Sequence, residues 1–360
     1  MPTSLLTGFP GFIGRRLVRQ VLDDDRRGRA IALVEPRMLE AAVDAAAEID
    51  ADRIEVLAGD IAERRLGLGD SDWERLAADV RRVYHLAAIY DLAVPKELAQ
   101  RVNVDGTGNV LELCLAAKKL ERLVYVSTAY VAGKRGGVVY EHELVMGQEF
   151  KNHYESTKFQ AEVWVREEID RVPTTILRPA IVVGDSQTGE TQKFDGPYYL
   201  LRAISQAQRQ GRPPMQIGRS GAHFNVVPVD YVVRAIAAAG LDPATEGETL
   251  HLVDPDPVSA RELVELLAQQ YSGRAPKGSL PPAVAEGALR FGPIRKRFSD
   301  TPAESIAYLN HPVTFDTRRA VDLLAPHGLT PPHFSSYVEP MVEFFRSHED
   351  DPALAPRPAA

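Results

Sequence analysis

The sequence predicts an α/β fold organised as a doubly wound parallel sheet, and three observations predict it. A glycine-rich turn, Thr7-Gly8-Phe9-Pro10-Gly11-Phe12-Ile13-Gly14, follows a short apolar strand and opens a helix-period stretch. Continuous apolar runs then alternate with helical patterns as far as about residue 180, the order expected of right-handed βαβ units. Third, Tyr154 and Lys158 stand four residues apart and follow a hydroxyl pair, Ser127-Thr128, that ends one of those runs.

The elements follow in order. Ser4-Leu5-Leu6 is the first strand, and Phe12, Ile13, Leu17, Val18, Val21 and Leu22 give the first helix its apolar face. The charges of residues 23–29 read as a solvated turn. Ala30-Ile31-Ala32-Leu33-Val34 is uninterrupted apolar sequence, as a strand covered on both faces requires, and Glu35 ends it. Ile54 to Ala58 is the third strand, followed by Gly59-Asp60-Ile61; Val83 to Ala88 is the fourth. Asn103 to Lys118 reads as a helix, Leu123 to Ser127 as a strand, and Thr174 to Pro179 as another after the Tyr154 helix. Beyond residue 180 Gly, Pro and aromatics thicken, with helices expected over 229–239 and 258–271, the latter opened by Ser259. The organisation is thus a Rossmann-type NAD(P)-binding domain over 1–184, a smaller C-terminal substrate lobe over 185–349 that returns a strand or two to the main sheet, and a disordered Pro/Ala-rich tail over 350–360.

Composition narrows the function. A net charge of −8 gives no electrostatic case for nucleic acid. One cysteine, Cys114, rules out a disulfide framework or thiolate metal site and reads as core; the nine histidines show no pairing at metal spacing. No apolar stretch approaches the roughly 20 residues that span a bilayer, and the N-terminus lacks a signal peptide's charged start and apolar run. The expectation is a cytoplasmic protein, with no room upstream for a carrier or adenylation domain. Arg290, Arg295, Lys296 and Arg297, with Phe291 and Phe298, form a basic cluster that reads first as a solvated face, with a carrier or CoA phosphate, or peripheral membrane contact, as the alternative.

The chemistry lies in the spacing. Gly8, Gly11 and Gly14 suit a tight turn, close approach of backbone to a pyrophosphate, and close packing of helix on strand. The phosphates then rest on amides at a helix N-terminus, among them those of Phe9, Phe12 and Ile13. Glu35 could accept the adenosine ribose hydroxyls, which argues for NAD(H); Arg37, Arg15 and Arg16 could face a 2′-phosphate, which argues for NADP(H). Asp60 and Ile61 fall at the adenine end, and Leu86, the small Ala87 and Ala88, Asn103 and Pro179 complete the expected cofactor set. Thr128 would donate to a substrate carbonyl, with Ser127 supporting. Tyr154 would protonate the developing alkoxide, and Lys158, one turn on, would hold the nicotinamide ribose and lower the phenol pKa. Asn152 and Glu155 fit an N-cap and its N3 partner, so the pair sits in the first turns of a helix. His85 reads as a satisfied core histidine and His153 as a surface residue.

These ordered motifs resemble the extended short-chain dehydrogenase/reductase superfamily over about residues 3–270. Several runs are most similar to its thioester-reductase and fatty acyl-CoA reductase (male-sterility-like) branch: residues 59–68 after the third strand, Asn103-Val104-Asp105-Gly106-Thr107, Tyr125-Val126-Ser127-Thr128-Ala129-Tyr130-Val131, and Asn225 to Val232. The run from Arg178 to Gly189 is the most branch-specific. The resemblance gives Thr128, Tyr154 and Lys158 the catalytic roles. It implies hydride transfer to an acyl thioester carried by CoA or a carrier protein, collapse to an aldehyde, and a second hydride giving the alcohol. NADP(H) is taken ahead of NAD(H). The rival readings are a sterol-type or hydroxyketone dehydrogenase and, after it, a sugar-nucleotide epimerase.

Overall fold

Seven strands form one parallel sheet in the computed structural model, which describes residues 2–90, 94–217, 221–290 and 303–355. In chain order these are β1 (Thr3–Thr7), β2 (Arg29–Val34), β3 (Ile54–Ala58), β4 (Val80–His85), β5 (Arg122–Val126), β6 (Thr174–Pro179) and β7 (Thr249–Leu252). Their spatial order is β3-β2-β1-β4-β5-β6-β7, every pair parallel. The order reverses between β1 and β4, and open α/β sheets bind ligands at such a switch, outside the carboxyl ends of the strands. The Rossmann-type expectation holds, and β7 is a strand returned from the C-terminal half.

Alternation along each strand feeds two cores. Leu5 of β1 packs with Ile31, Val83, Leu123 and Ile176 on one face, against Trp73, Leu76, Val110 and Cys114 of the covering helices. Leu6 faces the other way, with Ala32, Tyr84, Val124 and Leu177, against Leu17 and Val18 and the helix Val229–Leu241. Cys114 is 3% exposed and its thiol is pushed up to about 12 by burial. The expected helix from Asn103 is real but wider at its start: Gln100–Asp105 is a π-type turn that runs into the helix Gly106–Ala116.

The C-terminal half adds short parallel pairs, Ile181–Val183 with Val226–Pro228 and Gly137–Val139 with Val313–Phe315. Ser259 caps the helix Ala260–Ser272 in a full capping box with Glu262, as its position suggested. The helix Val338–His348 closes the lobe with Phe345 edge-on to Phe194, centroids 4.9 Å apart. The tail expected to be disordered from residue 350 is held at its start, because the Phe194 amide donates to the Leu354 carbonyl at 2.9 Å. The basic-cluster residues Phe291, Arg295, Lys296, Arg297 and Phe298 lie outside the described residues. No helix among the described residues is long and apolar enough to cross a membrane.

Candidate active site

The glycine turn joins β1 to the helix Phe12–Asp24. Gly8 has φ +88°, a conformation L side chains rarely adopt, and a Cβ there would stand 3.1 Å from the Ala87 nitrogen and the Leu86 Cβ. A Cβ on Gly14 would stand 2.4 Å from the Gly8 carbonyl oxygen, so the helix can close on the turn only without one. Gly11 is the N-cap and offers no side chain to the helix, which leaves the first-turn amides of Phe12 and Ile13 without a side-chain acceptor. The Phe9 ring is buried in the core. This cradle fits a dinucleotide pyrophosphate: backbone donors at a helix N-terminus, on a turn that side chains would block. A Gly14→Ala variant is expected to bind NADPH at least about tenfold more weakly, a cost of ~1.4 kcal/mol, measured by titration of nucleotide fluorescence.

The acidic and basic residues expected at an adenosine end are already paired. Glu35 takes the Arg37 Nε at 2.8 Å, both side chains about half exposed. Arg15 pairs with Glu48, and Arg16 with Glu190 at 3.1 Å. The Asp60 carboxylate accepts the Ala62 amide at 2.8 Å, and the Ile61 carbonyl accepts from Asn109 at 2.7 Å. Leu86, Ala87 and Ala88 are half-buried at the switch point.

A buried polar chain ties this end to the Tyr154 helix. The Thr107 hydroxyl donates to the Asn103 carbonyl at 2.7 Å, so His85 Nε2, 3.0 Å away, must be the donor to Thr107. His85 Nδ1 is then the acceptor for the Thr7 hydroxyl at 2.8 Å, whose oxygen also accepts the Ala87 amide at 3.1 Å. Burial, followed by the nearby Lys158 charge, pulls the imidazole down to about 3, so His85 is a neutral, satisfied core histidine. Asn103, expected to touch cofactor, is fully buried. Its Oδ1 accepts the Ile89 amide at 2.8 Å and its Nδ2 donates to Thr157 at 3.0 Å. Both ends of the amide are committed to protein, which leaves Asn103 no side-chain group for a cofactor.

The helix His153–Glu167 carries the phenol and the amine. Asn152 caps it, accepting the Glu155 amide at 2.9 Å, while the Glu155 carboxylate reaches back to the Lys151 amide at 2.9 Å. Lys158 donates to the Val126 carbonyl at the end of β5 at 2.8 Å and lies 4.3 Å from the Tyr125 ring centroid. Thr128, two residues past Val126, lies close enough to the Tyr154 phenol to act on its ionisation, and caps a short helical turn by accepting the Tyr130 amide at 3.3 Å. Its hydroxyl also sits 3.5 Å from the Pro179 carbonyl. Thr128, Tyr154 and Lys158 therefore meet at the carboxyl end of β5.

Two expectations need correction. Ser127 donates to Glu162 at 2.6 Å on the opposite side of the strand end, so it does not support Thr128. The Tyr154 phenol is raised, not lowered. Burial is the larger effect, and the Thr128 hydroxyl opposes it. Lys158 gives one of its three donors to Val126 and is itself pulled down by burial to about 7, against the pull of Glu162. If the charged form holds nucleotide, affinity for NADH is expected to fall as pH rises through 7, and Lys158→Met is expected to flatten that dependence. Isothermal titration between pH 6 and 8.5 checks it.

Three partners escaped the sequence reading. Tyr90 stands edge-on to Tyr154, centroids 5.1 Å apart. Glu162, fully buried, sits one further turn beyond Lys158 and is gripped by Arg178 at 2.6 Å. Tyr308, from the C-terminal half, donates to Glu155 at 2.8 Å. Only Glu162 left a signal, its i,i+4 spacing from Lys158.

With this geometry in view, the match of residues 6–236 to the model of the male sterility protein family is decisive. The chain belongs to the male sterility protein family. That family lies among the extended short-chain dehydrogenase/reductases, enzymes with an NAD(P)-binding domain, in the thioester-reductase branch. This member is similar to the carboxylic acid reductase of Mycobacterium tuberculosis, 29% identical over 308 residues that cover 75% of the chain. It spans only 26% of that longer protein. Among solved structures it is similar to the terminal R domain from the myxalamid PKS-NRPS biosynthetic pathway. The TM-score is 0.81 and the identity 26%, with 98% of this chain and 93% of that one covered. A reductase domain of a non-ribosomal peptide synthetase from Mycobacterium tuberculosis gives TM-score 0.70 at 25% identity, over 97% and 92% of the two chains.

Proposed function

We propose that this male sterility family member reduces an acyl thioester, held on a carrier protein or CoA, to an aldehyde at the expense of NAD(P)H. The meeting of Thr128, Tyr154 and Lys158 at the end of β5 carries the reading. A reduced nicotinamide bound on the glycine turn would supply hydride to the thioester carbonyl carbon. Thr128 orients the carbonyl oxygen by hydrogen bonding, and Tyr154 delivers a proton as negative charge develops there. Lys158 holds the ribose and stabilises the phenolate that Tyr154 leaves behind. The hemithioacetal then breaks its C–S bond, releasing aldehyde and thiol. A second hydride on the aldehyde would give the alcohol. A buried phenol with a raised pKa is held protonated in the resting site, which suits a proton donor.

The likeness to reductase domains of carboxylic acid reductase and peptide synthetase assemblies favours a carrier-bound substrate over free CoA. NADP(H) is taken ahead of NAD(H) on Arg37, whose half-exposed guanidinium would exchange its Glu35 partner for a 2′-phosphate. The test is a matrix of NADH and NADPH against acyl-carrier, acyl-CoA, aldehyde and ketone, followed at the nicotinamide absorbance. Turnover with thioesters supports the reading. Turnover with ketones or secondary alcohols alone rejects it.

A further inference from the structure

We propose that Tyr308 is a positioning residue through which the C-terminal lobe aligns the Tyr154 helix; this rests on the function just proposed. Tyr308 lies in the helical segment Ala303–Asn310, some 150 residues beyond the helix it touches. Its hydroxyl donates to Glu155 Oε1 at 2.8 Å and accepts from Asn152 Nδ2 at 2.8 Å. Asn152 is the N-cap of the Tyr154 helix and Glu155 is its third residue, so one hydroxyl spans the cap on both sides of Tyr154. The Tyr308 ring meets Tyr130 edge-on, centroids 4.9 Å apart, and Tyr130 belongs to the turn capped by Thr128. Lys151 completes the clasp. Its Nζ donates to Glu155 at 3.1 Å and to the Gly133 carbonyl at 2.6 Å, and lies 5.1 Å from the Tyr308 ring centroid.

The energetics follow from burial. Tyr308 is 8% exposed and Glu155 fully buried, so water cannot replace the lost partner cheaply. Tyr308 thus contacts both groups expected to act on the carbonyl oxygen, through Tyr130 for Thr128 and through the cap for Tyr154. A lobe seated correctly fixes both. A lobe displaced by even about 1 Å would misalign both, at a cost of up to ~100-fold in rate.

The test compares Tyr308→Phe and Asn152→Ser in the full chain. Serine keeps the cap acceptor and removes only the donor to Tyr308. Each is expected to lower kcat by about 10- to 100-fold, with NADPH affinity within twofold of wild type. The double variant is expected to be no slower than Tyr308→Phe alone, because that substitution already removes the one bond that Asn152→Ser cuts. Should Tyr308→Phe fail to fold, Asn152→Ser alone decides by the same split. Unchanged kcat overturns the proposal, as does a loss matched by equally weakened NADPH binding, or a double variant that multiplies the two losses. Tyr154→Phe is run alongside. If it stays active, the reading of the site falls and the clasp with it; if it is dead while both clasp variants match wild type, only the clasp falls.

Discussion

Tyr154→Phe is expected to lower kcat by roughly 10²–10⁴-fold while leaving NADPH affinity unchanged, the range for loss of a positioned proton donor. The substitution removes one oxygen and little else. The ring keeps its edge contact with Tyr90, Lys158 keeps its bond to the Val126 carbonyl, and the Asn152 cap is untouched. What is lost is the hydroxyl beside Thr128 and the proton it carries for the carbonyl oxygen. Single-turnover mixing, with hydride transfer read as loss of nicotinamide absorbance, isolates the chemical step from product release. A loss under tenfold would falsify the assignment of Tyr154 as the donor.

The second large effect is on stability. Arg178→Leu is expected to cost about 3–5 kcal/mol, because it removes the buried partner of Glu162 and leaves the carboxylate only the more exposed Arg166, 3.1 Å away, as a cation. Arg178 is 1% exposed and Glu162 fully buried. The guanidinium reaches Glu162 through Nη2 at 2.6 Å and Nε at 3.1 Å, and also donates to the Glu143 carbonyl at 2.8 Å. Burial pushes the Glu162 carboxyl up, and Arg178 outweighs it, so the group sits below its ordinary range. Without Arg178, only Arg166 and the Ser127 hydroxyl oppose burial, and the folded-state pKa is expected to rise above the unfolded one. The folded variant then binds more protons than the unfolded chain in the window between those pKa values, so its stability increases as pH falls into that window. Thermal midpoints of wild type and variant at pH 5 and pH 8 check both parts: a deficit at pH 8 that shrinks at pH 5. An equal deficit at both pH values would mean that Glu162 is not the group whose protonation relieves the loss.

What the sequence made legible was local. The glycine turn, the strands up to β6 and the Tyr154–Lys158 pair are short-range patterns, set by period and spacing within one or two elements. Misread residues are those whose partners are distant in sequence. Ser127 looked like a second catalytic hydroxyl because its neighbour Thr128 is placed to act. Its actual acceptor, Glu162, is 35 residues away and is itself fixed by Arg178. Asn103 sits in a run expected to meet the cofactor, yet Thr157, 54 residues on, claims its amide. The Tyr154 pKa failed for a different reason. Spacing places Lys158 one turn away, and only the fold reveals that the phenol is buried deeply enough for burial to set the direction of its shift.

The lone thiol offers a built-in timer. Cys114 lies between the sheet and its covering helices, and its proton is held far above neutrality, so alkylating reagents have no thiolate to attack while that layer stays shut. Its rate of labelling, read by mass, should therefore report how often this half of the molecule opens, and bound nucleotide should slow it in proportion to the stability it adds.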